Sequence, residues 1–215
     1  MKPADGPKVV VLHSGGLDST VCLLLALEEG LQPISVGIDY GQTHRIELEF
    51  AHRQCERLGV DRRVLSIKWD KPHRSIPLDR SVNEIRSSVS TAFLPARNIL
   101  FLSLAYAEAA GLDAKQVWIG VNSVDFSGYP DCTPEFIDAY RRMVEIGLGG
   151  GPKLVAPLQN LSKKEIVALA VKLGLQRQDT WSCYRPVQHD AVSEPCGRCD
   201  ACVLHDSAWD AVQPA

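Results

Sequence analysis

VVVLHSGGLDSTVCLLLALEEG, residues 9–30, carries the reading on which the fold depends. An apolar β-branched run enters a turn holding Gly15, Gly16, Asp18 and two serines, and a leucine-rich segment then begins at helical spacing. The amino end of a helix leaves backbone N–H groups unpaired and carries partial positive charge, so a tight turn before it is a natural anion cradle. Gly15 and Gly16 let the main chain approach such an anion, while Ser14, Ser19 and Thr20 offer hydroxyl donors. The stretch lacks the lysine of G-x-x-x-x-G-K-[ST] and the third glycine of G-x-G-x-x-G, so neither motif describes it. The competing reading is an ordinary strand-to-helix turn with Asp18 and Ser19 as polar first-turn residues.

Working outward, KVVVLH (8–13), PISVGIDY (33–40), RRVLSI (62–67), QVWIGVN (116–122) and KLVAPL (153–158) read as strands. Residues 17–29 read as a helix that Gly30 terminates, followed by helices over 44–59, 98–112 and 134–148, the last opening with proline. Ser162 and Glu165 make a capping box for the helix SKKEIVALAVKLG, with Gly174 as its C′ residue. Residues 70–92 are polar, contain two prolines and lack sustained periodicity, which predicts a long mobile loop of the kind that serves as a lid. Five β-then-α units predict an α/β fold: a doubly wound, mostly parallel sheet with helices on both faces and ligands beyond the carboxyl ends of the strands. The expected division is an α/β domain over residues 1–180 and a cysteine-rich C-terminal segment over 181–215 packed on the same domain.

A chain of 215 residues with 45% hydrophobic residues is ample for one core, with or without an appendage. Its 23 Lys plus Arg against 26 Asp plus Glu give a net charge of −3, so no whole-molecule basic field draws it to nucleic acid or to an anionic membrane. No apolar run approaches the ~20 residues of a bilayer span, and the opening MKPADGPK lacks an apolar signal core. The expectation is a cytoplasmic protein with no membrane partner and no direct nucleic-acid contact.

Of seven cysteines, Cys183, Cys196, Cys199 and Cys202 form C-x12-C-x2-C-x2-C. Four thiolates at that spacing suit a closed tetrahedral Zn²⁺ site of structural type, with an iron–sulfur cluster and four unligated thiols as the alternatives. Cys22 and Cys55 fall inside helices and read as core; Cys132 reads as packing ahead of a nucleophile, which would need a depressed pKa. Arg97 and Lys163 stand at helix amino ends, where the dipole disfavours a cation, so both are candidates to face phosphate; a solvated surface lysine is the other reading of Lys163. Asp39 and Tyr40 end the second strand, where a nucleoside is expected, although Asp39 equally suits a turn cap. Asp125 and Asp131 lie in a turn-rich loop where either could accept from a guanine-like base, or simply be surface acids. His44 either contacts phosphate or opens a helix; His52, His73, His189 and His205 carry no assignment.

SGGLDS (14–19) after a first strand resembles the signature of the PP-loop ATP pyrophosphatase superfamily. DYGQTH (39–44), LPARN (94–98), GVNSVDFSGYPDC (120–132), PEF (134–136), TWSCY (180–184) and CGRCDAC (196–202) are similar, in order, to landmarks of the 7-cyano-7-deazaguanine synthase family. The resemblance spans about residues 8–205; Thr43 replaces an expected basic residue, the 70–92 region has no counterpart, and the Cys183–Cys196 spacing is longer than expected. It implies an adenine nucleotide alpha-hydrolase-like, Rossmann-type fold and a ligase cleaving ATP to AMP and pyrophosphate. It further implies that 7-carboxy-7-deazaguanine and ammonia become 7-cyano-7-deazaguanine through adenylated intermediates, in queuosine biosynthesis and within a homodimer. Under it His13, Ser14, Gly15, Gly16, Leu17, Asp18, Ser19 and Thr20, with Asp39 and Tyr40, bind ATP, and Asp18 holds Mg²⁺. Asp18, Ser19, Arg97 and Lys163 form the implied catalytic set, and Asp125, Tyr129 and Asp131 the substrate-binding set.

Overall fold

The computed structural model describes residues 6–42, 45–68, 77–86, 94–122, 129–189 and 192–212. Strands β1 (Lys8–Leu12), β2 (Gln32–Asp39), β3 (Asp61–Ser66), β4 (Gln116–Trp118) and β5 (Lys153–Val155) form one sheet in the order β3-β2-β1-β4-β5, and every pairing is parallel. The chain steps from β1 to β2 to β3 through α1 (Leu17–Glu28) and α2 (Ile46–Leu58), then crosses to β4 by α4 (Arg97–Gly111), after the short α3 (Val82–Arg86). Helix α5 (Pro134–Leu148) joins β4 to β5, and α6 (Lys163–Lys172) follows. Strand order therefore reverses at β1/β4, the crevice where such sheets receive ligands.

Alternation along β1 fixes which helices lie on which face. Val9 and Val11 pack with α1, α6, Cys55 of α2 and Trp209, whereas Val10 packs with Val36, Ile38 and the buried sides of α4 and α5. All three valines are fully buried, each contributing roughly 1.5–3 kcal/mol of transfer free energy. A sheet covered on both faces needs continuous apolar strands, which is what VVV supplies.

Two strands are shorter than their sequence suggests. Pairing of β4 stops at Trp118 because at Gly120 the chain passes the amino end of α1; a Cβ there would stand 3.0 Å from the Asp18 carbonyl carbon. β5 is an edge strand whose only partner among the described residues is β4, so it ends opposite, at Val155.

Within the predicted 70–92 loop, the described part is ordered. Leu78 bridges Cys199, the Asp79 N–H donates to the Arg198 carbonyl at 2.9 Å, and α3 follows with Ile85 buried. Arg80 is clasped to the buried Asp200, its Nε donating at 3.0 Å, and Arg198 donates from Nε to Asp79 at 2.8 Å. The rest of that loop lies outside the described residues. Beyond residue 180 come an antiparallel hairpin, β6 (Val187–His189) with β7 (Val192–Glu194), and α7 (Asp200–Asp210), whose Trp209 enters the core beside α1 and α6. Among the described residues no helix is long and apolar enough to cross a membrane.

Candidate active site

The turn between β1 and α1 is tied down from behind. Gly15 has φ +93°, and a Cβ there would meet the Glu47 carbonyl oxygen at 2.3 Å and the Ala51 nitrogen at 2.8 Å, so α2 rests directly on the turn. The Gly15 carbonyl accepts from the Trp181 N–H at 3.1 Å and from Gln54 Nε2 at 3.3 Å. Ser19 Oγ receives the Ser14 N–H at 3.2 Å and donates to the Gly16 carbonyl at 3.1 Å; Thr20 Oγ1 donates to that carbonyl at 2.7 Å. Carbonyls are thereby held inward. Among the described residues no side chain caps the amino end of α1, whereas Thr133 caps α5 and Ser162 with Glu165 forms the expected capping box on α6. Uncapped N–H groups at a helix end suit an anion.

That end opens on a cavity of about 380 Å³. Its walls include Ser14, Gly16, Leu17, Asp18 and Ser19, with Tyr40, Arg97, Tyr129 and Lys163 from four other parts of the chain. Lys163 pairs with Asp18 Oδ2, which also accepts from Asn122 Nδ2 at 3.0 Å. Asp18 Oδ1 is buried with no hydrogen-bond partner among the described residues. A buried carboxylate oxygen left unpaired is costly unless a cation or donor meets it, and a hard oxygen ligand is what Mg²⁺ requires. Arg97, at the first position of α4, follows Ala96, a non-glycine residue at φ +64°. Burial opposes the Arg97 charge, but Tyr40, Tyr184, Cys132 and Tyr129 around it hold its pKa above the ordinary value.

His13 also lines the cavity, yet its ring is used internally: Nδ1 lies 2.9 Å from Ser35 Oγ and Nε2 3.4 Å from Thr20 Oγ1. Burial, aided by the nearby Arg62 charge, lowers its pKa to about 3, so the imidazole is neutral. Gly15 and Thr20 brace the turn from beneath and are not cavity-lining residues. Asp39 is likewise absent from the walls; it accepts from the Gly41 N–H at 3.2 Å and pairs with Arg45, the arrangement of a turn cap. Asp131 is buried beside α4, where Oδ2 accepts from the Asn98 N–H at 3.1 Å. Cys132 lines the cavity, and Asn98 Nδ2 donates to its Sγ at 3.2 Å. Asp125, Thr43, His44 and His73 lie outside the described residues.

Residue-by-residue reading missed Gln42, Glu47, Gly120, Asn122, Trp181 and Tyr184 as parts of the site. Glu47 is the most consequential: burial pushes its carboxyl to about 7, against the opposing pull of Arg97, the Gln42 hydrogen bond and Arg62. Asn122 and Gly120 sit inside the GVN run, where a signal was available once the strand was known to stop early.

The four-cysteine cluster adjoins the same cavity through Cys183. The sulfurs of Cys183, Cys196, Cys199 and Cys202 all lie within 4.8 Å of one another, a group able to bind a metal ion. Backbone N–H groups of Arg185 and Cys196 donate to Cys183 Sγ, each at 3.3 Å, and those of Arg198 and Cys199 to Cys196 Sγ at 3.5 and 3.4 Å. Donors aimed at sulfur favour thiolates and orient them.

Comparison with known proteins fits this geometry. The sequence profile of the family described as QueC, queuosine biosynthesis protein QueC, matches residues 8–213. A Rhodopseudomonas palustris protein named 7-cyano-7-deazaguanine synthase 2 is 58% identical over 202 residues, covering 94% of this chain and 96% of that protein. A Myxococcus xanthus 7-cyano-7-deazaguanine synthase is 41% identical over 216 residues, covering 94% and 93%. Among solved structures, the U34-tRNA thiolase NcsA from Methanococcus maripaludis, with its [4Fe-4S] cluster, superposes with a TM-score of 0.50 at 16% identity, covering 98% of this chain and 72% of that one. That last likeness concerns the fold alone.

Proposed function

The chain belongs to the QueC family of queuosine biosynthesis proteins and is a carbon–nitrogen ligase; from that premise we propose a nitrile synthesis driven by ATP. Its substrates are 7-carboxy-7-deazaguanine and ammonia, and its product is 7-cyano-7-deazaguanine. A carboxylate is anionic and would have to expel oxide, so ammonia does not displace its oxygen directly. Adenylation converts that oxygen into part of AMP, a good leaving group, and attack by ammonia then gives the amide. A second adenylation, on the amide oxygen, followed by loss of AMP and a proton closes the C≡N bond.

The observation that carries this reading is the uncapped amino end of α1 facing a cavity that also holds Asp18, Arg97 and Lys163. Backbone N–H groups there, with Ser14 and Ser19, grip the departing pyrophosphate, and Arg97 and Lys163 face the phosphates. Mg²⁺, held by Asp18, would neutralise the leaving group. Tyr129 and Asp125 contact the deazaguanine in this reading, with Asp131 bracing α4 at Asn98; Tyr40 takes the nucleoside and Asp39 fixes its turn. One cradle serves both adenylations.

For the cysteines the reading is structural Zn²⁺. Metal–sulfur bonds of about 2.3 Å in a tetrahedron keep sulfurs under about 4 Å apart, and the observed spread below 4.8 Å supports a single ion. A cubane cluster, whose irons occupy separate corners, holds its thiolates further apart. Residues 181–215 then form a metal-stabilised segment packed on the α/β domain over 1–180. The same reading places the enzyme in the cytoplasm as a homodimer, with exposed Met143, Ile146 and Leu148 of α5 available to a second copy. Incubating the protein with 7-carboxy-7-deazaguanine, ammonium and Mg-ATP, with mass-spectrometric detection, tests the reaction. Nitrile and AMP are expected; AMP without nitrile, or neither product, would overturn it.

A further inference from the structure

We propose that Glu47 is the proton acceptor for carbon–nitrogen bond formation, receiving the protons that the nitrogen sheds as amide and then nitrile form. The inference rests on the reaction above and names a residue for a task that reaction leaves unassigned. Glu47 stands in the first turn of α2 and lines the same cavity as Ser14, Asp18 and Lys163. Its position relative to the phosphate turn is fixed by the backbone, because the Glu47 carbonyl is the atom that a Cβ on Gly15 would strike. The carboxyl is aimed by Gln42, whose Nε2 donates to Glu47 Oε1 at 3.2 Å and to the Ile38 carbonyl at 3.3 Å. Gln42 is held in turn by its Oε1, which accepts from the Tyr40 N–H at 3.0 Å.

A helix dipole alone does not explain this residue. An acid in a first turn complements the dipole without needing burial, and Glu49 of the same turn is exposed and does that. Glu47 instead carries its carboxyl into the cavity wall, where desolvation disfavours the charged form. The groups facing it are Arg97 from α4, Arg62 from β3, Tyr40 at the end of β2 and Gln42 beyond it. The two guanidiniums and the Gln42 hydrogen bond oppose that rise but do not cancel it, leaving a carboxyl that titrates at about 7. An acid–base group works best when its pKa lies near the working pH.

The chemistry balances. Ammonia attacks the acyl-adenylate carbon, the C–O bond to AMP breaks, and one N–H proton passes to the carboxylate, giving amide, AMP and protonated Glu47. Solvent returns Glu47 to its charged form. When the amide oxygen attacks the α-phosphorus and expels pyrophosphate, a second N–H proton leaves; breaking the C–O bond to the second AMP releases the third and forms the nitrile. Adenylation of the first carboxylate, by contrast, needs no proton acceptor, since that oxygen is already anionic.

This difference supplies the test, with pyrophosphate–ATP exchange on 7-carboxy-7-deazaguanine read beside nitrile formation over pH 5.5–8.5. Glu47→Gln keeps a carbonyl for Gln42 and is expected to hold exchange within about threefold while nitrile formation falls ~100-fold or more. The parent rate should rise through about pH 7 as the carboxyl ionises, the variant should lose that limb, and Glu47→Asp should recover part of the rate. A Glu47→Gln enzyme that makes nitrile at the parent rate with the limb intact would overturn the proposal. So would equal loss of exchange and nitrile formation, which marks a residue that merely positions the nucleotide. A parent enzyme making no nitrile would instead remove the reaction itself, an outcome that needs no variant to recognise.

Discussion

Asp18 concentrates three demands on one carboxylate: Lys163 and Asn122 meet Oδ2, and Oδ1 is left for a ligand. Asp18→Ala should therefore lower ATP-to-AMP turnover by about 10²–10³-fold or more, comparable to losing a preorganised transition-state donor, while circular dichroism reports an intact fold. His13, a few residues earlier, has the opposite assignment, since its neutral ring holds Ser35 and Thr20 together behind the turn. In the fold it resists protonation down to about pH 3, whereas an unfolded histidine takes up a proton near 6.5. The unfolded chain thus binds the extra proton first on acidification. The stability associated with His13 is complete above pH 6.5 and drains as the pH falls toward 3, at up to about 1.4 kcal/mol per pH unit. Urea unfolding between pH 7.5 and 4 should show a shallower slope for His13→Gln than for the parent.

At the scale of elements, α2 rests directly on the phosphate turn. Gly15→Ala combines a left-handed backbone with a Cβ 2.3 Å from a carbonyl oxygen, so roughly 2–4 kcal/mol of destabilisation is expected by chemical denaturation. Gly30→Ala, at φ +72° with open space around it, should lose only about 1 kcal/mol. The same elements mark what was legible beforehand. β1, α1 and the helices over 97–111, 134–148 and 163–172 follow from local period, caps and glycine stops, because their buried faces are written in consecutive turns. Helix α3 is five residues long and exists through contacts with α7, so its own sequence gave no period to detect. Helix α7 was hidden for another reason: its buried side is Asp200, Cys202, Ala208 and Trp209, an apolar stripe only if cysteine and a paired aspartate count toward it. Glu47 and Glu49 are indistinguishable in IELEF, and only the packing of α2 on Gly15 separates the cavity acid from the solvated one.

Across the whole molecule, three distant stretches share one cavity wall: the phosphate turn at the start, Ile85 in the middle, and Trp181, Cys183 and Asp200 near the end. The Trp181 N–H is bonded to the Gly15 carbonyl, while Arg80 and Arg198 fasten residues 77–86 to the cysteine segment. Stripping metal with a strong chelator should therefore raise KM for ATP several-fold and speed proteolysis around residues 77–86, with the melting temperature falling in parallel. All three effects should reverse on adding Zn²⁺. Cys199→Ser should reproduce the chelated state without chelator.

The bridge from Leu78 to Cys199 carries this further. The segment that carries Ile85 to the cavity wall is latched to one of the four clustered cysteines, so chemistry that alters those sulfurs is expected to loosen it. Brief peroxide treatment should therefore appear in steady-state assays as weakened nucleotide affinity well before bulk unfolding, and dithiothreitol with zinc should restore it. Oxidation would in that way throttle the ligase through residues far in sequence from the phosphate turn.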